Sequence, residues 1–195
     1  MCNLYNLKRN RAEIATTFAA EDRWPADLAR DYVAPGLPGP VVIADGEGGR
    51  MTGLMNWGVP FGGKAVTNVR NLASPFWRAM LERPRHRCLV PATEFQEWSA
   101  TADPATGRKR PHWFAIPSQP LFAFAGIWRQ AEVPAGREPR FAFLTCPPNP
   151  LVGAVHPKAM PVILDETDYD TWLTAPWPQA HALAAPYPSQ LMTMA

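Results

Sequence analysis

Along this chain, apolar residues recur in short runs or alternate with polar ones, with a period near two more often than near 3.6. The segments "PVVIAD" (40–45), "GLMNWGV" (53–59), "CLVPATEFQEW" (88–98), "PHWFAIP" (111–117), "LFAFAGIWR" (121–129), "RFAFLTC" (140–146) and "MPVIL" (160–164) are rich in aromatic and β-branched residues, which predicts strands. "SATADPATGRKR" then joins two of them as a hairpin with a long basic tip. Helical patterns are fewer. "NRAEIATTFAA" (10–20) offers Asn10 as an N-cap, "SPFWRAMLER" (74–83) offers Ser74 followed by Pro75, and "DETDYDTWLTA" (165–175) begins with an acidic turn suited to the helix dipole. Strands adjacent in sequence, with few helices between them, predict an α+β fold: a mostly antiparallel, barrel-like sheet with peripheral helices.

Composition narrows the class. With 195 residues, 47% hydrophobic and 18% charged, the chain fits one globular domain with a sizeable core. No apolar run is long enough to span a bilayer, and Asn3, Asn6, Lys8, Arg9 and Arg11 leave no room for a signal-peptide core, so a cytoplasmic protein is expected. Cys2, Cys88 and Cys146 are widely spaced, an odd set without C-x-x-C pairing, which argues against a disulfide framework or a zinc site; no metal or cofactor is expected. The net charge of +2 identifies no partner. The positive charge is clustered, however, in "RAMLERPRHRC" (78–88) and "GRKRPH" (107–112), with Trp77, Trp113 and Phe114 close by. Cations interleaved with rings suit single-stranded nucleic acid, although a solvated basic face is the preferred reading of these stretches alone.

Four places carry candidate chemistry. Cys2 directly follows the start methionine; if Met1 is removed, it presents an α-amine and a thiol side by side. Both are partly available near neutral pH, with ordinary pKa values of about 7.7–8.0 and about 8.5. Facing an aldehyde, the amine forms an imine and the thiol closes a thiazolidine; facing an amide, the thiol would be a peptidase nucleophile. In "ATEFQEWSA", Glu94 and Glu97 have opposite parity, so only one of them faces a given pocket. A glutamate desolvated by Phe95 and Trp98 suits acid/base work, and an ion pair to an arginine is the structural alternative. His156, in "LVGAVHPKAMPVIL", interrupts an apolar run at a turn and could carry protons near neutral pH. In "VTNVRN", Asn68 could orient a nucleophile and Arg70 could take a phosphate, although a capped loop accounts for them too.

The order of these motifs resembles the SOS-response-associated peptidase (SRAP) family of abasic-site processing proteins. Cys2, "YVAPG", "NWG", "NVR", "EW", "FLT" and "HPKAMPVIL" span nearly the whole chain in that order. The resemblance implies an antiparallel β core and a nucleoid-associated monomer that binds single-stranded DNA containing an abasic site. It further implies a covalent thiazolidine crosslink through Cys2, held by Asn68, with protons moved by Glu97 and His156. Arg70, Pro35, Phe61, Trp57, Thr145 and Lys158 are implied as DNA contacts. Asn3 and Leu4 stand where the family carries a glycine and an arginine. A cysteine-type peptidase built on Cys2, and a non-covalent single-strand-binding module, are the alternative functions.

Overall fold

In a computed structural model, which describes residues 2–24, 28–134 and 136–195, the alternating segments close into a five-stranded barrel. Its strands are β1 (Pro38–Ala44), β2 (Arg50–Trp57), β3 (Arg87–Ala92), β4 (Phe122–Val133) and β5 (Gly136–Cys146). Antiparallel pairing runs β5–β4–β3–β1–β2, and a short parallel seam, Arg140 to Asn56 and Phe141 to Trp57, joins β2 back to β5. Closure removes the free edges that an open sheet of this size would expose.

Aromatic residues at alternate positions fill the interior. Phe124, Phe141, Phe143 and Trp57 are fully buried, with Phe124 and Phe143 centroids 4.7 Å apart and Trp57 and Phe143 5.0 Å apart. Gly126 on β4 is a place where no side chain fits: a Cβ there would lie 2.7 Å from the Cys88 sulfur and from a Val90 methyl. The two-residue strand Tyr5–Asn6 supplies the plug. Tyr5 packs edge-on against Trp57, Phe124 and Phe143 at centroid distances of 5.4, 5.7 and 6.2 Å, so Tyr5 and, ahead of it, Cys2 are buried inside the fold.

The run 88–98 is two strands, not one. Thr93 breaks it, its N–H donating to the Asn6 carbonyl, and Glu94–Trp98 turns into a second sheet with Tyr5–Asn6 and Pro111–Ala115. "MPVIL" likewise divides into Met160–Pro161 and Ile163–Leu164, which pair with β5 and β4 respectively. The helices lie outside the barrel. Asn10 and Glu13 form a reciprocal capping box on helix Arg11–Thr17, whereas the Ser74 side chain makes no capping bond and helix Pro75–Leu81 starts on its proline alone.

Part of the basic stretch 78–88 is structural. Arg78 pairs with Glu82, and Arg87 is fully buried. Its guanidinium donates to the carbonyls of Leu81, Trp172 and Ala175, the orphan acceptors at two helix ends, and it lies over the Trp172 and Trp177 rings. Arg87→Leu strands two buried acceptors and a partly buried third, and is expected to cost about 2–4 kcal/mol. The urea midpoint should fall at an unchanged m-value.

Candidate active site

The plug explains the position of the cysteine. Tyr5 pairs with Phe95 on one side and Val33 on the other, and the Gln96 N–H donates to the Leu4 carbonyl at 3.0 Å. The chain is therefore fixed on both edges up to Leu4. Cys2 follows into full burial, with its thiol 3.4 Å from the same Leu4 carbonyl. Burial, and then the nearby Glu97 carboxylate, pushes the Cys2 thiol far above its usual pKa.

Asn68 arrives on the short strand Asn68–Val69, which lies parallel beside β5 with Asn68 opposite Phe143. Trp57 anchors the preceding residue, its indole N–H donating to the Thr67 carbonyl at 3.0 Å. The Asn68 amide nitrogen donates to the Cys2 carbonyl at 2.9 Å and to the Thr67 hydroxyl at 2.9 Å. The amide holds the cysteine backbone by its carbonyl. Its own Oδ1 is buried and has no hydrogen-bond partner among the described residues, so an acceptor remains beside Cys2.

Strand parity separates the two glutamates. Glu94 faces outward and binds the Asn6 amide at 2.8 Å and the Lys8 ammonium at 2.9 Å. Glu97 faces inward with its side chain 1% exposed, and burial raises its pKa to about 7. His156 is delivered by a turn after the short helix Pro150–Gly153, whose N-cap Asn149 accepts from the Val152 N–H at 2.9 Å. The Ala100 N–H, donating to the Val155 carbonyl, ties that turn to the chain following Trp98. His156 Nδ1 then lies 3.3 Å from the Trp98 carbonyl oxygen and 3.6 Å from Glu97 Oε2. Burial lowers its pKa, and the positive charges of Lys158 and Lys109 lower it further. A carboxyl that titrates near neutrality thus faces an imidazole that is neutral there, an arrangement able to give and take a proton without a large change in net charge.

The structure brings together Cys2, Asn68, Glu97 and His156, separated by up to 154 positions in sequence. Thr145, on β5 two residues beyond Phe143, is buried with its hydroxyl unpartnered among the described residues. Lys158 is exposed and within electrostatic reach of His156. Arg70 is exposed just past the Asn68 strand, and Pro35 is exposed in a turn closed by the Leu37 N–H on the Ala34 carbonyl, with Gly36 at φ +83. Phe61 is 49% exposed at the tip of a hairpin. Trp57 is a correction: it is fully buried in the barrel, so no base reaches its ring, and its work is to pack the core and hold Thr67. Sequence reasoning missed Lys109 at the site and the Trp98 carbonyl that orients His156. The first depends on where a long hairpin folds back, and the second is a backbone atom with no signature in residue type.

Comparison with known proteins follows the same line. The family model described as "SOS response associated peptidase (SRAP)" matches residues 1–195. A relative named "Abasic site processing protein YoqW", from Bacillus subtilis (strain 168), is 32% identical over 185 residues, which cover 89% of this chain and 80% of the relative. The protein of the same name from Bacillus phage SPbeta matches equally. Among solved structures, a Bordetella bronchiseptica protein superposes with TM-score 0.78 at 24% identity, covering 100% of this chain and 98% of its own. A Bacteroides thetaiotaomicron protein superposes with TM-score 0.82 at 20% identity, covering 99% and 90%. Those two structures share the fold.

Proposed function

Because this chain belongs to the SOS response associated peptidase family, we propose that it processes abasic sites in DNA, capturing them in single strands as a covalent thiazolidine on Cys2. The carrying observation is the convergence on Cys2 of an asparagine that fixes its backbone and a buried glutamate, titrating near neutral pH, that faces an imidazole.

An abasic deoxyribose is mostly a closed hemiacetal, so a proton must be removed from its hydroxyl and another delivered to its ring oxygen before the aldehyde appears. Protonated Glu97 and neutral His156 supply that acid and base. In a mature form beginning at Cys2, the amine adds to the aldehyde carbon, and loss of water with a proton from the acid gives the imine. The thiol then adds across the C=N bond: sulfur bonds carbon, its proton passes to the base, and nitrogen is reprotonated. Amine, thiol and aldehyde become thiazolidine and water, with no change of oxidation state. The raised thiol pKa favours this order. A thiol kept protonated by burial is a poor leading nucleophile for an amide, whereas it suffices as the second partner of an already activated imine.

The test is intact mass before and after exposure to a uracil-excised single strand. The expected product has the mass of the protein lacking Met1 plus the strand less one water. Protein that lacks Met1, binds the strand and gains no mass would overturn the covalent reading in favour of a non-covalent module.

A further inference from the structure

Helix Pro75–Leu81 places Phe76, Ala79 and Met80 on one face, and Arg83 follows on the same line at the i, i+3, i+4, i+7 spacing. That face packs along β4, and between them lies a groove of about 320 Å³ whose walls include Phe76, Arg83, His86, Trp128, Arg129 and Arg137. The charge in it is one-sided. Arg137 is 3.7 Å from Glu132, but Arg83, Arg129 and the adjacent Arg85 have no carboxylate within ion-pair distance among the described residues. His86 reports the resulting field: after burial, the guanidinium groups of Arg85, Arg83 and Arg129 each lower its pKa. Arg129 lies 5.6 Å over the Phe76 ring, presenting a stacked guanidinium, and the Trp128 indole N–H at the wall is buried without an acceptor among the described residues. Like charges held together without counter-charge, beside half-exposed rings, fit a ligand bearing repeated phosphates and flat bases.

The groove is also joined to the candidate active site. Gly62 and Gly63, with φ of +58 and +75, close a two-residue hairpin that pairs Phe61 with Lys64, and its second strand leads through Thr67 into Asn68. At the tip of that hairpin, Phe61 packs on Phe76 with centroids 4.3 Å apart. A row of rings therefore runs from the hairpin beside Asn68 to the mouth of the groove.

We infer that this groove is a second binding site, which takes the phosphates and bases of single-stranded DNA flanking the strand segment held at Cys2. The inference rests on the proposed function for the position of the lesion, but binding of an undamaged strand tests it independently. The variant is Arg83→Gln with Arg129→Gln, both exposed or half-exposed positions. Binding is read by anisotropy across a salt series with an undamaged strand of about 16 nucleotides, and crosslinking by denaturing gel with an abasic strand of about 5 nucleotides. The double variant should bind the long strand about tenfold less tightly at low salt. Its log–log salt slope should be shallower by roughly 0.7 per lost phosphate contact, while the short abasic strand crosslinks at the parental rate. Parental affinity and slope on the long strand overturn the inference, as does an equal loss on both strands. A long-strand loss in a protein whose parent never crosslinks supports the groove and removes the proposed function instead.

Discussion

A Cys2→Ala protein is expected to give no heat-stable covalent species with abasic single-stranded DNA, while binding the same strand non-covalently about as tightly as the parent. The variant keeps an α-amine at its second residue, so the first half of the chemistry survives. Borohydride should trap the imine as a secondary amine in Cys2→Ala, and only in its presence should an adduct appear on a denaturing gel. In the parent, the thiazolidine forms without reductant. The substitution removes one fully buried sulfur and costs about 1 kcal/mol of stability, too little to unfold the barrel. Equal adduct in parent and Cys2→Ala without reductant would end the proposed role of sulfur.

The second large effect belongs to Glu97. Glu97→Gln keeps the shape of the side chain and removes the proton, and the crosslinking rate at pH 7 should fall by about 10²–10⁴-fold. The parental rate should turn near the pH at which Glu97 titrates, about 7, and that turn should vanish in the variant, leaving only the amine's own titration. Stability gives an independent reading. The folded state holds the Glu97 proton more tightly than the unfolded state, in which the carboxyl has its ordinary value near 4.5. From about 4.5 up to about 7, the folded state therefore binds more protons than the unfolded state, and stability declines as pH rises through that window. Glu97→Gln lacks this decline, so it should match the parent near pH 4 and exceed it above pH 7. A variant that slows crosslinking but keeps the parental pH dependence would assign Glu97 a structural role.

The strands that form the barrel were legible because each carries its own pattern. Phe122, Phe124 and Gly126, and Phe141 and Phe143, alternate as inward residues must, and parity correctly sent Glu94 and Glu97 to opposite faces. Elements defined by their partners were not legible. Tyr5–Asn6 is a strand only because Phe95 and Val33 flank Tyr5, and the parallel seam between β2 and β5 joins residues more than eighty positions apart. The outer parts of β4 and β5 escaped for a different reason: "AEVPAGREP" is polar and proline-bearing, yet Gln130–Val133 and Gly136–Pro139 pair as a hairpin extension. Trp57 shows the limit of motif reading. Its place in "NWG" fits the family order, but its ring points into the core, and only the closed barrel reveals that. For the site, residue types and order were readable, whereas the unpartnered Asn68 oxygen and the nearness of Lys109 to His156 depend on packing between distant segments.

The tyrosine plug bears on how long a captured lesion would last. A protease must draw an extended stretch of backbone into its cleft, and the residues following Cys2 are clamped on both edges and anchored by a ring sunk among Trp57, Phe124 and Phe143. Cleavage next to a nucleotide attached at Cys2 would therefore have to wait for the barrel to open, so release of that end of the conjugate would be governed by global unfolding and not by local fraying. Substitutions that loosen the barrel without contacting Cys2, such as a side chain at Gly126, would shorten the lifetime of such a conjugate without touching the bond itself.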